Sequence, residues 1–236
     1  MENLDYFIEI LDKNNIHYDQ EMLDKLEKYY NYLVEYNQNV NLTTITEKKD
    51  VYLKHFADSL LGLRYIKSNS SVCDIGTGAG FPGVVIKIFM PSIKLFLVDS
   101  LQKRVVFLQN LANLLQLDNI TVIHARAEDS SFKKTYLNFF DCVVARAVAQ
   151  MPTLCEYCLP YAKTNGYFVA YKSANCAEEV ETANKAIETL GGKLVKIDSI
   201  QLADDICRDF VIIKKVKNCS NLYPRGQNKP RLKPIM

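Results

Sequence analysis

Residues 74–83 hold the residue types in this sequence that are best suited to chemistry. They read Asp-Ile-Gly-Thr-Gly-Ala-Gly-Phe-Pro-Gly and overlap the end of a short apolar stretch, residues 71–75. Clustered glycines after a strand let the backbone turn tightly and approach a ligand, while the amides of the next helix point toward it. We therefore expect a small-molecule site on a strand, a turn and a helix.

Two cofactors compete for this turn. Gly78, Gly80 and Gly83 satisfy the G-x-G-x-x-G pattern of dinucleotide-binding proteins. Asp99 follows at the distance of about 20 residues where such proteins place a ribose-binding acid. Asp74, however, stands where the pyrophosphate of NAD would lie, and its carboxylate would repel that anion. S-adenosylmethionine carries an ammonium and a sulfonium instead, so the two acids favour S-adenosylmethionine over NAD. A plain glycine loop with a helix-capping aspartate is the structural alternative.

The elements that position this turn follow a regular order. From residue 71 onward, apolar strands alternate with helices, which predicts an α/β fold with a mostly parallel, doubly wound sheet. The predicted strands are residues 71–75, 94–98, 120–125, 141–145, 167–172, 194–201 and 209–215, and the last two are expected to be antiparallel. Predicted helices include residues 101–115, 151–159 and 177–190.

The chain divides into three predicted units. Apolar residues recur at helical spacing before residue 67, including a predicted helix at about residues 50–66, so residues 1–66 are expected to be a helical extension. Residues 67–217 would form the Rossmann-like domain, and residues 218–236 a basic, extended tail.

The formal charge of +2 hides a gradient along the chain. The first 35 residues hold nine acids and three lysines, whereas no acid and seven basic residues follow Asp209. A run of charge is often only a solvated face. Here the run is interrupted by prolines and places Tyr223 beside Arg225, features suited to following an RNA backbone.

Composition narrows the class of protein. With 236 residues, 48% hydrophobic and 24% charged, wholesale disorder is excluded. The N-terminus lacks a secretory signal, and no apolar run reaches the roughly 18 residues of a membrane span. The seven cysteines, an odd number, are scattered along the chain and do not form a disulfide pattern. These features predict a cytoplasmic protein with reduced thiols and no membrane association. Cys155 and Cys158 form a lone C-x-x-C in a helix, and no metal site is expected.

Several longer segments resemble those of one family, the bacterial small-subunit ribosomal RNA methyltransferase G, also called glucose-inhibited division protein B. The segments are Tyr36-Asn-x-x-Val-Asn-Leu-Thr, His55-Phe-x-Asp-Ser, the glycine turn, Val98-Asp-Ser-Leu-x-Lys-Arg, Arg126-Ala-Glu and Ala145-Arg-Ala. The resemblance covers nearly the whole chain. It departs at Tyr36, where many members carry tryptophan.

The resemblance implies a Rossmann-like, S-adenosylmethionine-dependent methyltransferase that modifies N7 of a guanine in 16S ribosomal RNA. It also implies that Gly76 and Phe81 line the methionine and ribose side of the cofactor. Ala127 and Glu128 would hold adenine, and Arg146 would close the pocket. Together with Asp74, Gly78 and Asp99 from the residues themselves, these positions form the predicted cofactor site.

Methyl transfer requires positioning and exclusion of water more than acid–base chemistry. Guanine N7 loses no proton on methylation, so no general base is expected. Arg146 follows an apolar strand at the edge where ligands bind such sheets. Pairing with guanine O6 and N7 would block the nucleophile, so we favour contact with cofactor or phosphate, a positioning role. A surface ion pair is the alternative.

The ribosomal RNA or the small ribosomal subunit is the expected partner of a monomeric enzyme. The residues predicted to contact RNA are His55, Lys103, Arg104, Arg225, Lys229 and Arg231. For His55, a structural hydrogen bond is the equal alternative. Two other functions stay open: methylation of another RNA base or a small molecule, and non-catalytic nucleotide binding by a ribosome assembly factor.

Overall fold

A seven-stranded sheet runs through the residues that the computed structural model describes, 4–203 and 206–236. Its strands are β1 (Ser71–Ile75), β2 (Lys94–Asp99), β3 (Ile120–His124), β4 (Phe140–Arg146), β5 (Ala162–Ser173), β6 (Gly192–Ala203) and β7 (Ile206–Lys215). The order is β3-β2-β1-β4-β5-β7-β6. Neighbours among β1 to β5 are parallel, and β6 and β7 are antiparallel, as the sequence predicts. β7 is also antiparallel to β5, a pairing that the sequence did not predict.

Helices cover both faces of the sheet. They are α1 (Asp5–Lys13), α2 (Gln20–Asn37), α3 (Lys48–Val51), α4 (Asp58–Leu60), α5 (Gly83–Phe89), α6 (Gln102–Leu114), α7 (Ser130–Tyr136), α8 (Met151–Cys158), α9 (Ala177–Thr182), α10 (Asn184–Thr189) and α11 (Lys229–Leu232). A π-helical stretch, Tyr52–Ala57, joins α3 to α4, and a 3-10 helix, Leu61–Tyr65, follows.

The central strands sort their side chains between two cores. Val72 and Val144 face a core shared with α1, α2, α5 and α6. Their neighbours Cys73 and Val143 face the opposite core, shared with α7 to α10. This alternation follows from the two-residue period of a strand, and both faces are apolar because both are covered.

The N-terminal helices share a core with the sheet domain. Tyr29 of α2 is fully buried and stacks on Phe81 of the glycine turn, with ring centroids 5.3 Å apart. Tyr32 stacks on Phe107 of α6 at 5.2 Å. The predicted boundary at residue 66 therefore falls within one continuous packing unit, and residues 1–3 of the predicted extension lie outside the described part.

Two predicted helices differ in the structure. The helix expected over residues 50–66 changes from α to π to 3-10 winding along its length. The helix expected over residues 177–190 is divided at Ala183 into α9 and α10. In both cases the apolar period is retained while tertiary packing changes the local hydrogen bonds.

The C-terminal tail is packed, and the prediction of an extended tail is wrong. Residues 229–232 form α11, and Pro230 is buried. Arg225 is paired with Glu156 of α8 at 2.7 Å, and Lys133 of α7 donates to the carbonyls of Leu222 and Pro224 at 3.0 and 2.9 Å. The tail folds back because these partners satisfy its charges and backbone carbonyls.

None of the helices in the described residues combines the length and apolar character that crossing a membrane requires.

Candidate functional site

A cleft of about 320 Å³ opens where β1, β2 and β3 end. We call it the first cleft. Its lining residues are Ile75, Gly76, Val98, Asp99, Ser100, Ala125, Arg126, Ala127, Glu128, Val148, Tyr157, Asn228 and Arg231. Parallel strands bring these sequence-distant residues to one edge of the sheet, on both sides of the point where β1 and β4 diverge.

The glycine turn has a conformation that side chains disfavour. Gly76 has φ of +71°, and a Cβ added there would lie 2.7 Å from Cγ2 of Val148. Gly78 has φ of +62°. The Gly76 amide donates to the carbonyl of Val98, which fixes the turn against β2. Glycine is therefore needed at residue 76 for both its dihedral and its space.

Asp74 lies beneath the turn and is buried. Its Oδ2 accepts from the Thr77 hydroxyl at 2.7 Å and from the Gly83 amide at 2.8 Å, so it joins the turn to the start of α5. Its Oδ1 has no hydrogen-bond partner among the described residues. Burial raises the pKa of the Asp74 carboxyl to about 7, against the two hydrogen bonds that lower it. Asp74 is not on the cleft wall; the predicted cofactor contact stays a prediction for Oδ1.

Asp99 lies on the wall of the first cleft, at the end of β2. Its Oδ2 accepts from the Gly78 amide at 2.9 Å, and its Oδ1 accepts from the Leu101 amide at 2.9 Å. Arg104 lies 3.4 Å from the same carboxylate. The structure thus places Arg104 against the predicted ribose-binding acid, while its neighbour Lys103 is exposed at the start of α6.

Ala127 and Glu128 follow β3 and line the same cleft. The Tyr161 hydroxyl donates to the Ala127 carbonyl, which fixes this loop against the core. The residues predicted to hold adenine and ribose therefore lie in one cavity. Phe81 lies outside the cavity lining, stacked between Tyr29 and His55.

Arg146 ends β4 and is the centre of a polar network. Its Nη1 donates to Asp58 Oδ2 at 2.6 Å and to the Lys54 carbonyl at 3.2 Å. Its guanidinium lies 5.1 Å from the centre of the Phe81 ring. Arg208 of β7 donates to the other Asp58 oxygen at 2.6 Å. Two guanidinium groups therefore share one buried carboxylate.

His55 lies in the π-helical stretch and is held between neighbours. Its ring stacks on Phe81 with centroids 4.5 Å apart, and its Nδ1 lies 3.2 Å from Arg146 Nη2. Because arginine only donates, Nδ1 must accept, so the proton is on Nε2 and is donated to the Thr43 hydroxyl at 3.0 Å. Burial and the Arg146 cation lower the pKa of His55 to about 3. His55 is therefore a neutral ring that supports Arg146.

A second cleft, of about 400 Å³, opens on the other side of Arg146. It is lined by Ile45, Lys54, His55, Asp58, Arg146, Ala147, Tyr171, Lys172, Ser173 and Arg208. Ala147 has φ of +56°, a strained conformation for a residue with a side chain. Residues 146–148 thus separate the two clefts, with Arg146 and Ala147 facing the second and Val148 facing the first.

Sequence reasoning missed Asp58, Arg208 and Tyr157. A signal existed for Asp58, because it stands three residues after His55 in a quoted segment, on one face of a helix. Arg208 is 150 residues from Asp58 in sequence and meets it only through the order of the strands. Tyr157 was hidden within an apolar helix.

The predicted RNA-contacting residues do not form one surface. His55 lies in the second cleft, and Arg231 lines the first. Lys103 and Lys229 are exposed. Arg225 pairs with a fully buried Glu156, so its guanidinium is engaged within the protein, and its contact with RNA stays a prediction. Cys155 and Cys158 are buried, and burial raises the pKa of Cys155.

The described residues fit S-adenosylmethionine. A left-handed glycine turn leaves room for a ligand, an acid stands at the end of β2, and a buried carboxylate oxygen beneath the turn lacks a partner. These features and the strand order define a Rossmann-like methyltransferase.

Among solved structures, the chain is similar to a SAM-dependent methyltransferase from Aquifex aeolicus (TM-score 0.55, 18% identity, covering 74% of this chain and 97% of that chain). It is also similar to a ribosomal protein L11 methylase from Lactobacillus delbrueckii subsp. bulgaricus (TM-score 0.53, 15% identity, 70% and 79% covered).

The family follows from sequence comparison. The model of the GidB family, described as rRNA small subunit methyltransferase G, matches residues 22–210. A protein named ribosomal RNA small subunit methyltransferase G from Bacillus subtilis (strain 168) is 44% identical over 236 residues, 99% of each chain. One of the same name from Desulforamulus reducens is 51% identical over 212 residues, 89% of this chain and 88% of that one. The chain belongs to the rRNA small subunit methyltransferase G family.

The family model and the relatives confirm the family that the sequence resembles, together with the methyltransferase activity and the S-adenosylmethionine cofactor. The predicted α/β, Rossmann-like fold class is confirmed by the sheet and by the structural neighbours. The domain boundaries and the individual site residues stay predictions.

Proposed function

We propose that this chain transfers a methyl group from S-adenosylmethionine to N7 of a guanine in small-subunit (16S) ribosomal RNA. The observation that carries the proposal is the meeting of two clefts of different charge balance at residues 146–148. The first is lined by two acids and two arginines, Asp99, Glu128, Arg126 and Arg231, whereas basic side chains outnumber acidic ones in the second. A nucleoside donor, with acids available for its ribose hydroxyls and its positive centre, suits the first cleft, and an anionic RNA suits the second.

The donor side is built for a nucleoside with a positive centre. S-adenosylmethionine supplies an electrophilic methyl group on a sulfonium. Asp99 would accept from the ribose hydroxyls, while Ala127 and Glu128 would hold adenine on the neighbouring wall. Gly76 leaves space for the sulfonium end, and the free Oδ1 of Asp74 would attract the ammonium. These residues bind and orient the donor.

The acceptor side is basic. Among the residues that line the second cleft, four are basic and one is acidic: Lys54, Arg146, Lys172, Arg208 and Asp58. Lys172 pairs with Glu179 at 2.7 Å and Lys54 with Asp50 at 3.0 Å, so once these partners are counted the four cations exceed the three carboxylates by one charge. A cleft with an excess of positive charge favours a polyanion and its phosphates.

The reaction at N7 agrees with the side chains of the second cleft. Both oxygens of Asp58 accept from arginine, both ring nitrogens of His55 are engaged, and the Tyr171 hydroxyl donates to the Ser59 carbonyl at 3.1 Å. All three are described lining residues of the second cleft, and none of these side chains is free to take a proton. Guanine N7 attacks with a lone pair and releases no proton, so positioning and exclusion of water suffice.

Further RNA contacts are proposed outside the clefts. Lys103 and Lys229 are exposed and would meet phosphates, while Arg104 would contribute from beside Asp99. We also propose that the protein binds RNA as a cytoplasmic monomer, as a ribosomal RNA substrate suggests. Sedimentation equilibrium of the purified chain at micromolar concentration tests the monomer, and a dimer would contradict it.

The experiment that tests the function is transfer of tritiated methyl groups to purified small subunits and to naked 16S RNA. Nucleoside analysis of the product is expected to show 7-methylguanosine. Label in adenine or a pyrimidine would contradict the N7 assignment. Binding to the subunit without incorporation would favour an assembly factor, and incorporation into a small molecule alone would overturn the RNA substrate.

A further inference from the structure

The C-terminal segment, residues 218–236, lies against one face of α8. Arg225 Nη2 and Nε lie 2.7 and 2.9 Å from Glu156 Oε2 and Oε1, and the Arg225 amide also donates to Oε1 at 2.8 Å. One turn earlier, the Thr153 hydroxyl donates to the Pro230 carbonyl at 2.8 Å. Glu156 is fully buried, so this contact is part of the folded structure.

The same face of α8 continues into the first cleft. Thr153, Glu156 and Tyr157 are spaced three and four residues apart, which places them side by side on the helix. The first two hold the C-terminal segment, and Tyr157 lines the cleft. The segment is therefore anchored next to the cavity that holds the predicted adenine-binding residues.

Residues of α11 and its N-cap complete the cleft wall. Asn228, in the left-handed conformation, and Arg231 both line the cavity with Glu128. The Arg231 guanidinium donates to the Val148 carbonyl at 3.4 Å, and it is close enough to the Tyr157 hydroxyl to oppose the burial that raises the pKa of that group. It thus lies between α8 and the loop after β4, on the wall of the first cleft.

We propose that Arg231 is a cofactor-binding residue that covers the adenosine half of S-adenosylmethionine. This inference rests on the donor named under the proposed function. The cation would be repelled by the sulfonium, whereas a planar guanidinium stacks favourably on an aromatic base. Tyr157 is close both to Arg231 and to Glu128, and Glu128 is on the side assigned to adenine. Arg231 therefore moves from the predicted RNA-binding residues to the cofactor site.

The test is calorimetric titration of the RNA-free protein with S-adenosylhomocysteine and with 5′-methylthioadenosine, which lacks the amino-acid half. Arg231→Ala is expected to weaken both ligands by the same factor, roughly fivefold. Arg231→Lys is expected to weaken both as well, because lysine lacks the planar face. Lys233→Ala removes an exposed charge two residues further on and is the matched control, with unchanged affinity expected.

Each other result overturns the proposal. Loss confined to S-adenosylhomocysteine would place Arg231 on the methionine carboxylate. Unchanged affinity for both nucleosides, with weaker binding of naked 16S RNA, would return Arg231 to the RNA surface. Thermal unfolding of the variants, expected to match wild type because Arg231 is exposed, guards against a folding effect.

The result is separable from the proposed function. Wild-type protein that binds the nucleosides but leaves RNA unmethylated would overturn the methyl transfer and keep the role of Arg231. Wild-type protein that methylates RNA, with an Arg231→Ala variant that binds nucleosides normally, would overturn only the role of Arg231. Wild-type protein that binds neither nucleoside would overturn both.

Discussion

Asp58 is the shared hydrogen-bond partner of Arg146 and Arg208, the two arginines that line the second cleft. Its side chain is 2% exposed and accepts from Arg146 and Arg208 at 2.6 Å each. A buried carboxylate is costly unless it is fully paired, and here each oxygen has a guanidinium partner. The pair of arginines is therefore held in place: Arg146 also contacts His55, and Arg208 Nη1 also donates to a backbone carbonyl of its own strand.

Replacement of Arg146 is expected to affect cofactor and turnover together. Arg146→Ala removes the donor that ends β4 and frees His55 Nδ1, so residues 146–148 lose their support. We expect kcat/KM to fall by about 100-fold or more, because misplaced reactants lose rate steeply. The measurement is methyl transfer with small subunits, together with calorimetric titration of S-adenosylhomocysteine.

Arg208→Ala is the matched control, because it removes the other partner of Asp58. Both arginines line the second cleft, but only Arg146 belongs to the segment that carries Val148 into the first, so loss of Arg208 is expected to raise the KM for RNA and leave cofactor affinity unchanged. If Arg146→Ala retained both cofactor affinity and turnover, the assignment of Arg146 to the site would be wrong.

His55 predicts a pH-dependent stability. Its folded pKa of about 3 lies below the ordinary value of 6.5, so the unfolded chain binds more protons between these values. The stability that neutral His55 contributes is complete above pH 6.5 and is lost as pH falls toward 3. Relative to His55→Asn, wild type should therefore lose about 2 kcal/mol between pH 7.5 and 5, at roughly 1.4 kcal/mol per pH unit.

The measurement is urea unfolding of both proteins at pH 7.5 and pH 5. The comparison with His55→Asn is needed because Asp74, with its raised pKa, acts in the opposite direction over part of this range in both proteins. A constant difference between the two proteins would show that His55 titrates normally.

At the scale of elements, the glycine turn depends on the loop after β4. A Cβ at residue 76 would overlap Val148, so Gly76→Ala is expected to push that side chain and narrow the first cleft. We expect Gly76→Ala to weaken S-adenosylhomocysteine at least tenfold, in addition to a left-handed strain of about 1 kcal/mol. Calorimetric titration and urea unfolding measure the two effects.

Val148→Ala tests the cause of this loss. In its background the overlap is removed, so Gly76→Ala should weaken the ligand less than it does alone, a positive coupling between neighbours. Equal losses in the two backgrounds would mean that the dihedral, and not the contact with Val148, decides the effect.

The helical winding at residues 48–65 changes along its length, and the packing around it decides where it changes. The apolar period predicts a helix there, and a helix is found, but a π-helical stretch carries His55. A wider turn redirects a side chain without changing the period of its neighbours, and such turns are often found at functional sites. The stacking of His55 on Phe81 and its contact with Arg146 depend on this local winding.

At the scale of the whole molecule, several of the basic side chains at the C-terminal end are bonded to other groups of the protein and are not free at its surface. Lys215 is buried and donates to the carbonyls of Leu159 and Leu190 at 3.0 and 2.7 Å. Arg225 neutralises Glu156, and Arg231 turns into the first cleft. The C-terminal segment is therefore packed against the domain and does not form a free basic surface.

The exposed cations that remain predict a modest salt dependence of RNA binding. Lys103→Ala combined with Lys229→Ala should lower the slope of log affinity against log salt by about 2, one for each phosphate contact. Lys13→Ala combined with Lys28→Ala removes the same charge from the acidic helices and should leave the slope unchanged. Filter binding with naked 16S RNA from 50 to 200 mM salt measures it, and equal slopes for the two double variants would exclude Lys103 and Lys229 from the interface.

By itself, the sequence determined the strand and helix order, the glycine turn, the two acids and the family, because periodicity and turn residues are local properties. The resemblance to the family also implied that Ala127 and Glu128 belong to the same site as Asp99, and the structure places all three on the wall of one cleft. Only the tertiary structure decided that Asp58 joins Arg146 to Arg208, that Asp74 holds the turn from below, and that Arg225 lies on Glu156. Those partners are far apart in sequence, and the fate of a charge depends on which buried group the fold places beside it. The basic tail is the clearest case, because the sequence shows one run of positive charge, whereas in the folded chain Arg225 pairs with Glu156, Arg231 lines the first cleft and Lys229 is exposed.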